Sequence, residues 1–304
     1  PGKATGYDAV IIGAGVAGLY QLYRLREQGY KVRVIEAGSN VGGTWYWNRY
    51  PGARVDSQAY VYQYWFSEAL DKEWNWSERF PAQPETESYL NFVADRCDLR
   101  KDITFGTRVT RATFDEASSH WTIETDAGET LKTQFMITCA GMLSAPLTST
   151  FPGQETFKGQ VFHTARWPKE PVDLAGKRVG VVGTGATGIQ VIQTIADKVG
   201  HLKVFQRTPQ YIIPMRNPKY TDADRAAQKA GFAAMRERVQ RTFAGFDYDF
   251  HPRNVYEMSQ EEKRQVAVLI ALNPLHIGEI EPTVAAKILT QQRSDAICPL
   301  GRGP

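Results

Sequence analysis

Residues 7–25 read YDAVIIGAGVAGLYQLYRL, and this stretch decides how the chain folds. A mostly apolar run, residues 7–12, is followed by Gly13, Gly15 and Gly18 in the order GxGxxG and then by apolar residues at helical spacing. The pattern predicts a strand, a tight turn and a helix. The first glycine permits the turn, the second lets the backbone approach a pyrophosphate, and the third lets the helix pack on the strand. A phosphate can therefore bind at the helix N-terminus without a lysine.

A second apolar run, residues 31–35, ends in Glu36, which lies 23 residues after Gly13. In a βαβ unit this spacing places the carboxylate at the tip of the neighbouring strand, where it can accept hydrogen bonds from both ribose hydroxyls. The strand, the glycine loop, the helix and the acid together predict a binding site for an adenine dinucleotide.

The next segment, residues 41–56, reads VGGTWYWNRYPGARVD and mixes glycines, aromatic residues, two arginines and one acid. Its glycines would allow close backbone approach, and the rings of Trp45 and Trp47 could cover a flat ring system. Packing in the core or on the surface is the preferred interpretation of Trp65, Trp74 and Trp76, because aromatic residues are commonly structural.

Between residues 107 and 140 the pattern changes to short strands with turn signals, and it closes on the apolar run 135–140. A βαβ unit, a long excursion, a β-meander and a final strand follow one another. This order resembles the FAD domain of flavoproteins that have two dinucleotide-binding domains. The resemblance implies that the first bound nucleotide is FAD and not NAD.

The glycine loop occurs a second time. The apolar strand 178–182 precedes Gly183, Gly185 and Gly188, and a helical pattern follows. The next strand, residues 202–205, is followed by Arg207, 24 residues after Gly183, where an acid would otherwise bind ribose. A guanidinium there favours the 2′-phosphate of NADP, although an ordinary surface arginine is the alternative. Two dinucleotide sites in one chain predict hydride transfer from NADPH to FAD.

Bulk composition excludes several other classes of protein. The 304 residues, 42% hydrophobic and 23% charged, predict a globular chain long enough for two domains. The formal charge of +3, without a long basic block, argues against nucleic acid as a partner. The cysteines, Cys97, Cys139 and Cys298, form no CxxC pair, so reduced, mostly buried thiols are expected and no metal site is.

Location and assembly are less well specified. No apolar run approaches the roughly 20 residues that cross a bilayer, and the start lacks a signal pattern, so we expect no membrane insertion and a cytoplasmic location. Pro1 stands where an initiating methionine would, which indicates a processed or trimmed N-terminus. The sequence leaves the oligomeric state open.

The segment between the loops, residues 157–168, reads FKGQVFHTARWP. It resembles the fingerprint of the Baeyer–Villiger monooxygenases, FxGxxxHxxxW followed by P or D, at every fixed position: Phe157, Gly159, His163, Trp167 and Pro168. Flavin-containing and N-hydroxylating monooxygenases carry a similar motif without the W-P ending. The resemblance extends over roughly residues 7–260 and is closest to phenylacetone and steroid monooxygenases through GGTWYWNRYPGARVD, EWNWSERF, NFVAD and FQRTP.

The resemblance implies an α/β fold with two Rossmann-like domains, a β-meander in the FAD domain and a helical insertion in the NADP domain. It implies an enzyme that uses NADPH and O2 to insert one oxygen atom beside a ketone carbonyl through a C4a-peroxyflavin, giving an ester or lactone. By motif position, the residues expected to line FAD are Gly13, Gly15, Gly18, Glu36, Thr44, Trp45, Tyr46, Trp47, Val55, Asp56, Tyr62 and Val109. Those expected to contact NADP are Arg54, Thr184, Gly185, Ala186, Thr187, Gly188, Ile189, Gln190, Arg207 and Thr208.

Three residues receive a role in catalysis from the same resemblance. Asp56 is expected near the flavin ring, where it would orient a catalytic arginine; a solvated turn acid is the alternative. His163 and Trp167 belong to the fingerprint, which is expected to link the two domains and influence their relative motion. A histidine without a visible partner is not a general base by default, and none is assigned to His163.

The chain departs from the family pattern toward its end. A G-T-K-R type segment that carries the family's catalytic arginine is absent, and Arg302 in PLGRGP is only a faint echo of it. The return half of the FAD domain is also absent, so a chain ending at Pro304 is expected to bind FAD weakly and to lack turnover. The expected domains are residues 1–142 for FAD, 143–218 for the fingerprint and NADP, and 219–304 for the helical insertion and the weakly patterned end. An N- or S-oxygenating flavoprotein and a noncatalytic nucleotide-binding fragment are the alternative functions.

Overall fold

The structure, a computed structural model, describes residues 5–146, 151–208, 215–242, 245–247 and 257–262. These residues form two compact units. One contains the described residues up to 208 together with Arg216–Met235, and the other contains Met215 and the described residues from Arg236 onward. Both glycine loops and the fingerprint segment lie in the first unit. The predicted domain boundaries after residues 142 and 218 stay predictions.

A mixed sheet carries the first glycine loop. Its strands are β1 (Thr5–Ile12), β2 (Val32–Ile35), β3 (Ile103–Thr104), β4 (Val109–Asp115), β5 (His120–Thr125) and β6 (Thr130–Thr138). They lie in the order β3-β2-β1-β6-β5-β4. Strands β3, β2, β1 and β6 are parallel, whereas β6, β5 and β4 form an antiparallel meander. The predicted α/β fold with a meander is confirmed.

Strand β6 belongs to both parts of this sheet. It pairs with β1 along residues 131–138, but with β5 only along residues 130–133. The meander therefore diverges from the parallel strands halfway along β6. Four side chains close the core at this junction, each at most 1% exposed: Val10, Ile35, Ile123 and Leu131.

Helices lie between the strands and after the last of them along the chain. They are α1 (Val16–Glu27), α2 (Thr44–Trp47), α3 (Ala59–Tyr62), α4 (Glu68–Glu73), α5 (Gln83–Arg96), α6 (Ala186–Ile195), α7 (Asp222–Ala230) and α8 (Phe232–Val239), with 3-10 turns at Arg100–Asp102, Gln154–Thr156 and Thr164–Arg166. Helix α1 buries Leu19 and Leu22, and α5 buries Leu90 and Val93. No helix within the described ranges combines the length and apolar character that crossing a bilayer would require.

The tryptophans assigned to packing do pack. Trp76 is fully buried, and its Nε1–H donates to Gln63 Oε1 at 2.8 Å. Trp74 lies edge-on to it, with ring centroids 5.6 Å apart. Trp65 donates its Nε1–H to the Tyr60 carbonyl at 3.0 Å. These aromatic residues fix the excursion between β2 and β3, as expected for structural tryptophans.

The second glycine loop follows the first strand of a shorter sheet. Strands β7 (Arg178–Val182) and β8 (His201–Phe205) are parallel, and within the described residues this sheet has two strands. Val182 is 64% and Phe205 49% exposed. The predicted order of strand, glycine loop, helix and strand is confirmed.

The helical insertion expected from residue 219 onward begins, within the described residues, with the helices α7 and α8, which are separated at Gly231. A capping box starts α7, because the Thr221 side chain accepts a hydrogen bond from the Asp224 N–H and the Asp224 carboxylate accepts one from the Thr221 N–H.

Other expectations lie outside the described residues. These include residues 263–304, with the end of the helical insertion, the weakly patterned segments, Cys298 and Arg302. The other two cysteines, Cys97 and Cys139, are free and partly buried, and burial raises the pKa of both thiols. Raised pKa values favour the protonated, unreactive form of a thiol.

Candidate nucleotide-binding sites

The first glycine loop packs at backbone contact distance. Gly13 has φ +103°, and a Cβ on it would lie 2.6 Å from the Cys139 carbonyl oxygen. A Cβ on Gly18 would lie 1.9 Å from the Gly13 carbonyl oxygen. Neither position has space for a side chain, so α1 begins directly against the turn. The N-terminal N–H groups of α1 lack partners within the helix and are suited to bind an anion.

Glu36 closes the side of this loop. Its carboxylate is buried at 5% residue exposure and accepts hydrogen bonds from the backbone N–H groups of Ala14 and Gly38, each at 2.6 Å. A carboxylate has about four lone-pair sites, so acceptor capacity is left for ribose hydroxyls. The predicted position of Glu36 at the tip of β2 is confirmed.

The two glycines before α2 lie against the first loop. Gly42 donates its N–H to the Ala14 carbonyl at 3.1 Å. Gly43 has φ +53°, and a Cβ on it would lie 2.7 Å from Gly15 Cα. The GG pair thus brings α2, which holds the predicted residues Thr44, Trp45, Tyr46 and Trp47, beside the glycine loop. From the sequence, these glycines were expected only to allow close backbone approach.

The α2 side chains have different surroundings. Trp45 is 8% exposed and donates its Nε1–H to the Tyr62 hydroxyl at 2.8 Å, whereas Trp47 is 44% exposed and Thr44 is also exposed. Burial raises the pKa of Tyr62 more strongly than the Trp45 hydrogen bond lowers it. A neutral Tyr62 and a buried indole therefore form one apolar, hydrogen-bonded wall.

Tyr46 is the centre of a small network. Its hydroxyl is bonded to Ser39 Oγ at 2.9 Å and accepts from Lys169 Nζ at 2.8 Å. The Lys169 ammonium also lies 4.4 Å from the centre of the Tyr46 ring. Burial raises the pKa of Tyr46, but the Lys169 and Ser39 hydrogen bonds outweigh it and the net pKa is lowered. Lys169 follows the fingerprint directly and was not recognised from sequence.

The remaining predicted flavin-site residues are dispersed. Val55 is buried, and Asp56 after it is exposed. Val109, at the start of β4, packs its side chain against the Val10 and Ile35 core cluster.

The second glycine loop repeats the geometry of the first. Gly183 has φ +98°, and a Cβ on Gly188 would lie 2.5 Å from the Gly183 carbonyl oxygen. Thr184 is 8% exposed, and its Oγ1 accepts from Gln206 Nε2 at 2.9 Å. Gly185 caps α6. The other loop residues lie in the first turns of α6: Ala186, Thr187, Ile189 and Gln190.

Two cationic candidates differ in their surroundings. Arg207, with Thr208 beside it, is exposed after β8. Arg54 is partly buried, and its guanidinium lies 3.6 Å from Glu78 Oε1 and donates to the Phe80 carbonyl at 3.3 Å. The structure brings Arg54 to α6, because Gln190 Nε2 donates to the Arg54 carbonyl at 3.2 Å. Gln190 Oε1 accepts from Tyr50, a residue that sequence reasoning missed.

The fingerprint segment is mostly exposed. His163 is exposed, and its Nδ1 accepts from the Ala165 N–H at 3.2 Å, capping the 3-10 turn that follows. Trp167 packs on Phe162 with ring centroids 5.2 Å apart. A Cβ on Gly159 would lie 2.6 Å from the Phe157 ring. These contacts give the segment a local fold of its own.

Comparison with known proteins defines the class of this molecule. The profile described as flavin-binding monooxygenase-like matches residues 7–219, and the chain belongs to this family. It is 59% identical over 248 residues to the acetone monooxygenase (methyl acetate-forming) of Gordonia sp. (strain TY-5), covering 82% of this chain and 46% of the relative.

Two further similarities support the Baeyer–Villiger resemblance. The chain is 44% identical over 261 residues to a Baeyer–Villiger monooxygenase of Pseudooceanicola batsensis, covering 86% of this chain and 48% of the relative. A solved structure of OTEMO in complex with FAD and NADP matches with a TM-score of 0.80 at 41% identity, covering 87% of this chain and 51% of that one. The chain spans about half the length of the curated relatives it matches.

Proposed function

We propose that the protein to which this chain belongs is a Baeyer–Villiger monooxygenase, which uses NADPH and O2 to convert a ketone into an ester or lactone. One observation carries the proposal. A single compact unit holds two equivalent glycine loops, in which a Cβ would lie 1.9 Å and 2.5 Å from a loop carbonyl oxygen. Similarity to an acetone monooxygenase that forms methyl acetate supports the ketone as substrate class.

FAD is assigned to the first loop. The residues there fit a dinucleotide: the turn has no space for side chains, the helix N-terminus faces it, and Glu36 has acceptor capacity for ribose. The wall of Trp45 and Tyr62 suits a flat, partly apolar ring. The OTEMO structure, with FAD and NADP bound, supports the same assignment.

NADPH is assigned to the second loop. The N-terminus of α6 would hold its pyrophosphate, and the exposed guanidinium of Arg207 would pair with the 2′-phosphate. Thr208 adds a hydroxyl beside it. Arg54 is held against α6 through its carbonyl, while its guanidinium lies against Glu78 and the Phe80 carbonyl, so a contact with NADPH would require the guanidinium to leave these partners.

The flavin supplies hydride acceptance and oxygen activation when bound, and the chain supplies binding and shielding. Water exclusion is assigned to Trp45 and Tyr62, because the indole N–H of Trp45 is hydrogen-bonded to the Tyr62 hydroxyl. The exposed carboxylate of Asp56 follows the buried Val55, a position from which it can orient a cation. His163 and Trp167 are assigned to the link between the two nucleotide sites. The cytoplasmic location stays a prediction.

A sequence of three measurements tests the proposal. The whole protein to which this chain belongs is purified and examined for flavin absorbance, then for bleaching of that absorbance by NADPH without oxygen, and finally for products under isotopically labelled O2. We expect one labelled oxygen atom in an ester formed from acetone or cyclohexanone. Oxidation of a thioether with no ketone conversion would favour the N- or S-oxygenating class. A colourless protein that cannot be reconstituted with FAD would favour a noncatalytic nucleotide-binding role.

A further inference from the structure

A tight turn at residues 50–53 follows α2, which lies beside the first glycine loop, and contacts α6, the helix of the second glycine loop. The Ala53 N–H donates to the Tyr50 carbonyl at 3.1 Å, with Pro51 and Gly52 between them. Gly52 has φ +82°. Proline followed by a glycine at positive φ is the signature of a type II turn. Its direction is therefore set by the PG pair itself.

The turn lies directly on α6. A Cβ on Gly52 would lie 2.1 Å from Thr194 Oγ1 and 2.4 Å from the Gln190 carbonyl oxygen. Thr194 cannot easily turn away, because its hydroxyl donates to that same carbonyl at 2.8 Å. Only glycine fits this contact between turn and helix backbone.

The Gln190 side chain holds both ends of the turn. Its Oε1 accepts from the Tyr50 hydroxyl at 2.9 Å, and its Nε2 donates to the Arg54 carbonyl at 3.2 Å. Because the turn itself runs from Tyr50 to Ala53, one amide group fixes the residue that begins it and the residue that follows it. Both hydrogen bonds are partly buried, where such bonds are less exposed to competition from water.

The chain on either side of this turn leads to the flavin-side residues. Three residues before Tyr50 is Trp47, the last residue of α2, and directly after Arg54 is the buried Val55. Gln190 lies in the second turn of α6, whose N-terminus is the phosphate-binding end of the second loop. A displacement of α6 would therefore move both arms of the turn together.

We infer that Gln190 is a positioning residue that couples the two nucleotide sites, so that occupancy of one changes the affinity of the other. The inference rests on the proposed function, since it requires both nucleotides to bind. Coupling of this kind is reciprocal, and a typical value is about fivefold or more in affinity. The Tyr50–Gln190–Arg54 contacts provide the rigid connection that carries it.

The test is a titration of FAD into the flavin-free protein, alone and with saturating NADP⁺, followed by flavin fluorescence. In the wild type we expect NADP⁺ to change FAD affinity by about fivefold or more. Tyr50→Phe removes one hydroxyl and should leave the affinity for FAD alone within twofold, while the coupling factor falls toward one. In the Gln190→Met background Tyr50→Phe should have no further effect, because the bond it removes is already gone.

A second pair of variants distinguishes the effect of disturbing the contact between the turn and α6 from the effect of backbone strain at a glycine with positive φ. Gly52→Ala should abolish the coupling, whereas Gly128→Ala should retain it. Gly128 has a similar φ of +78°, but no atom of the described part of the chain lies within 4 Å of its Cβ position. Unchanged coupling in Tyr50→Phe and Gly52→Ala would overturn the inference, and so would a wild type that binds both nucleotides independently. A wild type that binds neither nucleotide would instead overturn the proposed function, and the inference with it.

Discussion

The Glu36 carboxylate accepts a hydrogen bond from the backbone N–H of Ala14 at 2.6 Å, across 22 residues of sequence. This bond joins the end of β2 to the glycine turn after β1. The same carboxylate accepts from Gly38 N–H, so the acid expected to bind ribose also holds the shape of its own loop. Folding and nucleotide binding are thus coupled at one side chain.

Glu36→Gln should lower both stability and FAD affinity. The amide replaces one acceptor oxygen by an NH2 group that faces a buried N–H, and an unsatisfied buried donor costs about 1–3 kcal/mol. Chemical denaturation and FAD titration measure the two effects. Glu116→Gln, at an exposed position on the turn after β4, should change the free energy of unfolding by less than about 0.5 kcal/mol. Equal stability of the two variants would contradict the role given to Glu36.

Gly18→Ala and Gly188→Ala should each affect the nucleotide of its own loop. In both cases the new Cβ would lie too close to a loop carbonyl, at 1.9 Å and 2.5 Å respectively. We expect Gly188→Ala to retain FAD, measured by absorbance, and to lose NADPH affinity by more than about tenfold, since loss of about 1.4 kcal/mol already gives that factor. Gly18→Ala should lose FAD. Gly6→Ala, where no atom of the described residues lies within 4 Å of the Cβ position, is the control. Loss of FAD in Gly188→Ala would argue against separate sites.

Tyr60→Phe should stabilise the protein. The Tyr60 hydroxyl is buried, and no hydrogen-bond partner for it lies among the described residues. Removing a buried hydroxyl without a partner should yield about 1 kcal/mol in the free energy of unfolding. Tyr64→Phe is the matched control, because its hydroxyl donates to the Val16 carbonyl at 2.6 Å and its removal should destabilise the fold. Destabilisation by both variants would indicate that Tyr60 has a partner.

The advantage of Tyr60→Phe should increase at alkaline pH. Burial raises the pKa of Tyr60 from 10.0 to about 12, so the fold favours the neutral phenol. That contribution to stability is complete below pH 10 and is lost as the pH rises toward 12. The stability of Tyr60→Phe relative to the wild type should therefore grow between these pH values, as measured by urea unfolding at each pH. A constant difference would contradict the raised pKa.

The Tyr46–Lys169 contact should be measurable as a pairwise energy. The hydrogen bond at 2.8 Å predicts a coupling energy of about 0.5–1 kcal/mol between the Tyr46 hydroxyl and the Lys169 ammonium. The ring, whose centre lies 4.4 Å from the ammonium, is kept in the Tyr46→Phe variant. A double-mutant cycle of Tyr46→Phe and Lys169→Met in unfolding experiments gives this value. The control cycle of Tyr46→Phe with Lys203→Met should be additive, because Lys203 lies over Phe205 instead. Additivity in both cycles would mean that the contact does not persist in solution.

Local pattern predicted much of the fold. Both glycine loops, the position of Glu36 and the strands around them follow from the spacing of small, apolar and acidic residues, because backbone geometry at a tight turn is decided within a few residues. The end of α7 at Gly231, by contrast, was not predicted, although glycine is a common residue at the end of a helix. Helix α5 was also missed, although Pro84 in its first turn is a helix-start signal.

Contacts between distant segments were not predictable in the same way. Tyr50 and Gln190 are 140 residues apart, and Tyr46 and Lys169 are 123 residues apart, yet each pair shares a hydrogen bond. Nothing in the local sequence of either partner indicates the other, since a polar residue on a loop finds its partner only when the elements pack. The side chain of Val109, which motif position assigns to the nucleotide, is partly buried against a core cluster that its local sequence does not indicate, and its nucleotide contact stays a prediction.

The separation of β5 from the parallel strands has a practical consequence. Strand β6 pairs with β5 only at residues 130–133, and the hairpin turn at residues 126–128 is hydrogen-bonded to Arg108, which precedes β4, and to Thr125 at the end of β5. Among the residues that the structure describes, none has an atom within 4 Å of the position that a Cβ on Gly128 would take. A peptide tag or fluorescent reporter inserted there would lengthen a tolerant loop while leaving the register of β1, β2 and β6 unchanged. The meander thus offers a position for a label that lies outside both glycine loops.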